Sequence, residues 1–466
     1  MGTWALVITL TVCLTMTVFI IKKPTLSVGF LKFIGKPLKL DSFFVIALIA
    51  PLALLAGGFV TFREVFSGFA AEGEMNPLKI LILFFSMCFM SVCLDKAGFF
   101  EYCAAKTLSR AKKGQKTLFS YFYFFIALLT IFTSNDIIIL AFTPFVCYFC
   151  KSAKISALPY IAAEFAAANT WSLMLIIGNP TNIYIAASLG ITFLEYFKVM
   201  ALPAIAAGLI SYFILRIIFS KKLEEGTFIK DGSALDVKIK DKPAATVSLV
   251  SLALCVIFMS VGNYIQMQMW LISLCFAALL LASLIALHLS RLAKNRKKRN
   301  NGQGYEKPQS VVLPSLSNMP YSIIPFLLSM FVAVLALQKH GVTDAIARTL
   351  FGLTHSGALT AGIFGLLSSV MSNILNNIPM SVLFTGILQA GSNATLVPYA
   401  AYATIIGSNI GAFISPAGAL AGIMLLNILK DKDSGFTTVS FLKYLAPTAF
   451  FSLAASIAAL IISLSL

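Results

Sequence analysis

Residues 176–182 read Ile176-Ile177-Gly178-Asn179-Pro180-Thr181-Asn182, and residues 405–418 read Ile405-Ile406-Gly407-Ser408-Asn409-Ile410-Gly411-Ala412-Phe413-Ile414-Ser415-Pro416-Ala417-Gly418. Each stretch interrupts a long apolar run with residues that end a helix, Gly and Pro, and with residues whose side chains replace its lost hydrogen bonds, Asn, Ser and Thr. An unpaired backbone amide in hydrocarbon costs several kcal/mol, so a helix broken at mid-depth persists only where protein or a wet cavity covers the break. Two such breaks in one chain point to a binding centre.

The runs around the breaks are membrane spans. The chain has 466 residues, 59% hydrophobic and 11% charged, with a mean hydropathy of +0.91, whereas about a quarter of a soluble protein is charged. This composition excludes a separate aqueous domain and predicts an all-α polytopic membrane protein. Full spans are expected near 3–21, 42–62, 77–94, 159–189, 200–219, 244–262, 268–288, 321–338, 399–428 and 446–464, which makes ten crossings. The first lacks a basic start and a small-residue cleavage site, so it reads as a retained span and no signal peptide is expected. Stretches 118–150 and 358–390 are broken midway by Ser134-Asn135-Asp136 and by Ser372-Asn373 with Asn376-Asn377. Their legs of 13 to 16 residues reach only about 20–24 Å at ~1.5 Å per residue, which predicts re-entrant helical hairpins with tips at mid-membrane.

Charge gives the orientation. With the first span running outside to inside, 30 of the 35 Lys and Arg fall on the inner side, leaving Arg63, Lys79, Lys198, Lys339 and Arg348 outside. That bias satisfies the positive-inside rule, so the net charge of +17 is a topology signal and not a nucleic-acid surface. A multi-pass protein of the cytoplasmic membrane is expected, both chain ends outside, with a basic inner loop at 289–320 whose run Arg291 to Arg299 reads as the cytoplasmic anchor, binding to anionic lipid or a partner being its alternative.

The chain also repeats itself. At an offset of 243, Ser86-Met87 recurs as Ser329-Met330 and Lys96-Ala97-Gly98-Phe99-Phe100-Glu101 as Lys339-His340-Gly341-Val342-Thr343-Asp344. The hairpin tips follow in the same order, and after them Ile176-Ile177-Gly178-Asn179 answers Ile405-Ile406-Gly407-Ser408. The expected fold is two inverted-topology repeats, 1–221 and 244–466, joined by a cytoplasmic linker at 222–243. Each has five transmembrane helices, one discontinuous, plus one re-entrant hairpin; because five is odd, the second enters the membrane upside down.

The candidate centre is acidic or neutral, since no Lys or Arg lies in a hairpin tip or helix break. Its candidate solute- and ion-binding residues are Ser134, Asn135, Asp136, Gly178, Asn179, Thr181 and Asn182 from the first half. The second half offers Asn373, Asn376, Asn377, Gly407, Ser408, Asn409 and Ser415. Asn135, Asn182, Asn376, Asn377 and Ser408 are expected to converge on one cavity, and carbonyls freed at Gly178 and Gly407 to coordinate Na⁺ or a proton carrier. An ionisable group at mid-membrane is a functional candidate, so Asp136 is the first choice for proton coupling; its alternative role is to cap the helix starting at Ile137. Glu164 is the second, with a snorkelling acid as its alternative. Cys147 and Cys150, one turn apart, read as helix packing rather than a metalloid trap, and the eight cysteines and three histidines suggest neither disulfides nor a metal site. A small oxyanion, a neutral hydroxylated acid or a cation all remain open as solutes. An intramembrane enzyme is disfavoured for want of a second central acid or a central His.

Together, Asp95-Lys96-Ala97-Gly98-Phe99-Phe100-Glu101, Ser134-Asn135-Asp136 leading to Thr143-Pro144, Gly178-Asn179-Pro180-Thr181-Asn182, Asn376-Asn377-Ile378-Pro379 and Gly407 through Gly418 resemble the arsenite/antimonite permease family of the ion transporter superfamily. Nearly the whole chain takes part, and an acid after Asn135 sets it apart from the dicarboxylate/sodium symporters, which tend to carry Thr there. The resemblance implies a secondary active transporter exporting hydroxides of trivalent arsenic or antimony in exchange for protons, sometimes with a cytoplasmic ATPase partner, and no cofactor. A sodium/proton antiporter or an organic-anion carrier is the alternative, with Na⁺ then the coupling ion. Pro416-Ala417-Gly418 stands where Pro-Ile-Gly is more usual.

Overall fold

The computed structural model describes residues 1–23, 25–33, 36–70, 76–109, 114–224, 238–262, 265–300, 310–391, 393–429 and 435–465. Most of the expected linker at 222–243 and the middle of the basic loop at 289–320 lie outside these residues. The first half comprises α1 (Gly2–Lys22), strands β1 (Thr25–Phe33) and β2 (Lys36–Asp41), α2 (Ser42–Ala47), α3 (Ile49–Ala56), α4 (Phe62–Ala70), α5 (Pro77–Lys96) and α6 (Phe99–Ser109). It continues with α7 (Gln115–Phe132), α8 (Asn135–Ser152), α9 (Leu158–Trp171), α10 (Pro180–Ser188) and α11 (Phe193–Ile218). The second half comprises α12 (Lys242–Val261), α13 (Met269–Asn300), α14 (Val312–Ser317), α15 (Ile323–Lys339), α16 (Val342–Gly352), α17 (Gly357–Leu375), α18 (Asn377–Gln389), α19 (Val397–Gly411) and α20 (Leu420–Leu429). It closes with α21 (Thr438–Ser465).

Among the described residues eight helices are long and apolar enough to cross a membrane, and nine if α15 and α16, bent by 76°, count as one span. Side chains such as Ile217 (71% exposed), Leu52 (66%) and Phe450 (65%) cover the outside, an arrangement stable against lipid and costly in water. The chain is an all-α polytopic membrane protein.

Three expectations change. Residues 42–62 do not form one span: Pro51 cannot donate to the carbonyl of Ala47, so the helix restarts at Ile49 with the proline in its first turn and ends at Ala56 before Gly57-Gly58. The first hairpin legs, α7 and α17, are 18 and 19 residues long, about 27–28 Å at ~1.5 Å per residue. They continue through residues counted as loop by their polarity or as Gly, and length alone no longer makes them re-entrant. Residues expected as a plain inner loop instead form the antiparallel pair β1–β2.

Packing is duplicated. In the first half α7, α8 and α11 all pack on α9; in the second, α17, α18 and α21 pack on α19. The halves also exchange partners: α10 lies on α18 and α20 on α8, while α5 is surrounded by α12 and α13 and α15 by α1, α2 and α3. Helices α6 and α16, both of 11 residues, follow the repeated Lys96 and Lys339 motifs. Where α17 meets α19, small residues let the backbones approach closely. A Cβ on Gly407 would sit 2.0 Å from Ser368 Oγ and 2.4 Å from the Gly365 carbonyl. Gly407→Ala is therefore expected to part these helices at a cost of about 1–3 kcal/mol, measured as a lower melting temperature of the purified protein.

On the basic side, Asp241 caps α12 by accepting from the Ala244 amide at 3.1 Å and takes a 2.7 Å bond from Arg291 of α13. Burial pushes its carboxyl up, but the Arg291 guanidinium and the Ala244 amide outweigh this and hold it below the ordinary carboxylate range. The stability it contributes is present at neutral pH and is lost in acid, as pH falls through the depressed value.

Candidate functional site

The first break is built by asparagine. α9 ends at Trp171, a short 3-10 turn follows at Ile176–Gly178, and α10 restarts at Pro180 with the Asn179 carboxamide oxygen accepting from the Thr181 amide at 3.1 Å. Proline suits this first position, where no intrahelical donor is needed. The Asn182 side chain donates to the Ser172 carbonyl at 2.9 Å, restoring a bond the broken helix lost. A Cβ on Gly178 would stand 2.2 Å from that carbonyl, so only glycine allows the chain to fold back on itself here.

Asn409 of α19 reaches across from the other half. Its oxygen accepts from Ser172 Oγ at 3.1 Å and from Asn179 Nδ2 at 2.8 Å; its nitrogen donates to Asn182 Oδ1 at 2.6 Å and to the Ile405 carbonyl at 2.9 Å. Two acceptor and two donor sites are filled at once, and Asn179, Asn182 and Asn409 are all buried.

The second break lies later than expected. Gly407, Ser408 and Asn409 are inside α19, which runs unbroken to Gly411, and the interruption spans residues 412–419 with its 3-10 turn at Pro416–Gly418. The Gly407 carbonyl is thus not freed by a break, because packing against α17, not helix termination, is what that glycine serves. By the place of its 3-10 turn, Pro416-Ala417-Gly418 lines up with Ile176-Ile177-Gly178, an offset of 240 under which Asn169 lines up with Asn409. Asn373 spans this break, donating to the carbonyls of Ser369 and Gly411 at 2.9 Å each and accepting from Ser415 Oγ at 2.6 Å.

The hairpin tips differ from one another. At the first, Ser134 Oγ donates to Asn135 Oδ1 at 3.4 Å, Asn135 Oδ1 accepts from the Asp136 amide at 2.9 Å, and Asn135 Nδ2 donates to Asn169 Oδ1 at 3.2 Å. Helix α8 begins at Asn135, so Asp136 is in its first turn and does not cap it. At the second, Asn376 takes a positive φ of 76°, a strained value for a residue with a Cβ. Its side chain holds it there, donating to the Ala417 carbonyl at 3.1 Å and accepting from the Ile378 amide at 3.4 Å. Ser408 Oγ lies 3.3 Å from Ser381 Oγ on α18.

The asparagines tie the breaks and tips together, and Asp136 faces open space. It lines a cavity of about 690 Å³ that none of the candidate asparagines lines, bounded by α2, α5, α8, α20, the end of β2 and the turn before α15. Among the described residues no hydrogen bond reaches its carboxylate. Glu164 is fully buried on α9, with Oε1 accepting from Thr143 Oγ1 at 3.0 Å and Oε2 unpaired. It does not snorkel, because every residue of its helix is buried by protein. Thr181 Oγ1 is likewise buried without a partner. Cys150 is buried and Cys147 partly so, both within the helix packing and neither in a disulfide.

A family model described as citrate transporter matches residues 33–300. The arsenical pump membrane protein of Escherichia coli is 30% identical over 362 residues, 76% of this chain and 79% of that one. The chain belongs to the ion transporter superfamily, among its arsenite-permease-like members. An uncharacterized transporter of Mycobacterium tuberculosis is 24% identical over 407 residues, 86% of this chain and 88% of that one. The fold is that of the YdaH transporter of Alcanivorax borkumensis, with a TM-score of 0.56 at 14% identity over 99% of this chain and 97% of that one. MtrF of Neisseria gonorrhoeae follows at 0.51 and 14%, over 99% and 94%.

For an arsenite-permease-like transporter, the polar groups left without protein partners matter most, since a solute can use them. The Asn377 carboxamide is buried and makes no side-chain hydrogen bond among the described residues. Asn377→Ala is expected to raise the transport KM several-fold with near-normal expression, whereas a purely structural asparagine would lose both together; uptake assays beside quantitative immunoblots separate the two. Asn169, Ser172 and Ser381 escaped the sequence reading, which quoted Thr143 for the family resemblance alone. For Asn169 the signal was present, in the 240-residue offset to Asn409; Thr143 and Ser381 are ordinary helix residues, and Ser172 an ordinary turn residue, until the fold pairs them.

Proposed function

We propose that this protein is a proton-coupled secondary transporter that exports arsenous and antimonous acids from the cytoplasm of a bacterial cell, and that its two halves are inverted repeats that alternate access. The observation that carries the reading is Asp136, an acid with no hydrogen-bond partner among the described residues, at the end of a broken hairpin and facing a large cavity, in a chain 30% identical to an arsenical pump membrane protein. On the charge map Asp95 and Lys96 mark the inner side, so the cavity leads from the cytoplasm to Asp136. Unpaired donors and acceptors at Asn377 and Thr181 suit a small hydroxylated acid, which needs hydrogen bonds and no cationic clamp. Asp136 carries the coupling proton and Glu164 stands second. A cytoplasmic ATPase docks, if at all, on the basic inner loops.

A second reading, an organic-anion carrier, draws on the match of a citrate-transporter model to residues 33–300. Against it, no Lys or Arg lies in a tip or break, and Lys96 at the cavity is paired with Asp95 at 3.2 Å. Counterflow in proteoliposomes distinguishes them. Vesicles preloaded with arsenite are expected to accumulate labelled arsenite and antimonite, and neither citrate nor Na⁺ should replace them. Accumulation driven by citrate alone would favour the carrier of organic anions.

A further inference from the structure

The cavity does not match the solute proposed above. Arsenous acid is the size of roughly three or four waters of ~30 Å³ each, and the space before Asp136 is about 690 Å³, within the range of drug-sized ligand sites. Nor is it a plain water channel. Its walls are Phe43 and Phe44 of α2, Phe84 of α5, Tyr321 before α15, and Ile423 and Met424 of α20. The aromatic walls are held in place: Phe43 and Phe44 meet edge to face at 6.1 Å, and Tyr321 stacks on Phe85 at 5.9 Å. Hydrated polar solutes gain nothing from such surfaces, whereas an apolar body buried there gains about 25 cal/mol per Å².

Charge selects the sign of the ligand. Among the described residues the charged groups lining the cavity are Asp41, Asp95, Asp136 and Lys96, and the one cation of these four is already paired with Asp95 at 3.2 Å. Asp136 and Asp41 remain, and neither carboxylate receives a hydrogen bond among the described residues. Aromatic faces also attract cations and repel anions. We propose that this cavity is a binding site for amphipathic organic monocations, with the apolar body between α2, α5 and α20 and the positive charge near Asp136. The inference goes beyond metalloid export but shares Asp136 with the coupling role proposed for it, so binding and arsenite flux must be read separately.

The test uses the full-length protein in lipid nanodiscs with radiolabelled tetraphenylphosphonium, a permanent monocation that cannot exchange a proton, and empty nanodiscs as the measure of partition into lipid. Saturable binding above the empty discs is expected, weakened at least tenfold by Asp136→Asn. Ile423→Trp, which fills the cavity from α20, should weaken it similarly while leaving Asp136 in place. Tetraphenylborate, an anion of the same shape, should not compete. Melting temperatures of both variants close to that of the unaltered protein show that they fold. Binding no greater than in empty discs, binding indifferent to Asp136→Asn, or equal competition by the borate would each overturn the inference. Arsenite uptake in matched vesicles keeps the two proposals apart: cation binding without arsenite flux would sink the metalloid reading alone, and arsenite flux without cation binding would sink this one alone.

Discussion

Asp136→Asn is expected to abolish accumulation of arsenite against its gradient while leaving exchange of arsenite at equilibrium measurable. The substitution preserves the size of the side chain and does not disturb the start of α8, because the residue there that bonds the first free amide is Asn135, at 2.9 Å. What it removes is the exchangeable proton. Arsenous acid is largely uncharged near neutral pH, so its own movement gains nothing from the membrane potential. One inward proton releases about 2.3 kcal/mol per 100 mV and roughly 1.4 kcal/mol per pH unit, together enough for a gradient of several hundred-fold. Inverted vesicles with an imposed proton gradient report the uphill flux, and the same vesicles without a gradient report exchange. If the variant still concentrates arsenite, the proton travels elsewhere, and Glu164, buried with one carboxylate oxygen unpaired, is the next residue to change.

The second large effect is expected at Asn409. Alanine there would leave Ser172 Oγ, Asn179 Nδ2 and Asn182 Oδ1 without the bonds of 3.1, 2.8 and 2.6 Å that now fill them. Each orphaned buried group costs about 1–3 kcal/mol, so the loss should be on the order of 3–5 kcal/mol after some relaxation. Because the three partners belong to the first half and Asn409 to the second, the damage should fall on the contact between halves. Thermal unfolding of the purified variant should shift sharply downward, and transport should fall more than tenfold even where folded protein remains. Asn409→Asp separates shape from bonding, since it keeps the acceptor for Ser172 and Asn179 but cannot donate to Asn182. It should be nearly as damaging, and a benign aspartate would mean that the network is slack.

Much of this architecture can be read from residue types alone, and the failures have physical causes. The similar motifs at Lys96 and Lys339 each lie at the end of a long helix, α5 and α15, and are each followed by an 11-residue helix, α6 and α16, because turns and capping residues are local. The helix breaks were found because Gly, Pro and Asn act locally too. Their exact match was misplaced: Gly407 resembles Gly178 in sequence, yet one glycine admits the close approach of α17 and the other lets the chain turn back. Only packing tells those glycines apart. The burial of Glu164 depended on how α8 and α9 meet, and an acid near a helix end looks the same on lipid and in a core. The cavity before Asp136 is assembled from six segments of both halves, and no window of sequence contains it.

The central claim is that arsenite and protons move in opposite directions through this one protein. Proteoliposomes holding a trapped pH dye, with the membrane potential clamped by valinomycin and potassium, test it most directly. An arsenite gradient imposed without any pH gradient should drive protons the other way, changing the internal pH in proportion to the arsenite that crosses, and Asp136→Asn should leave the dye silent while arsenite still exchanges. Arsenite crossing with no change in internal pH in the unaltered protein would contradict the account.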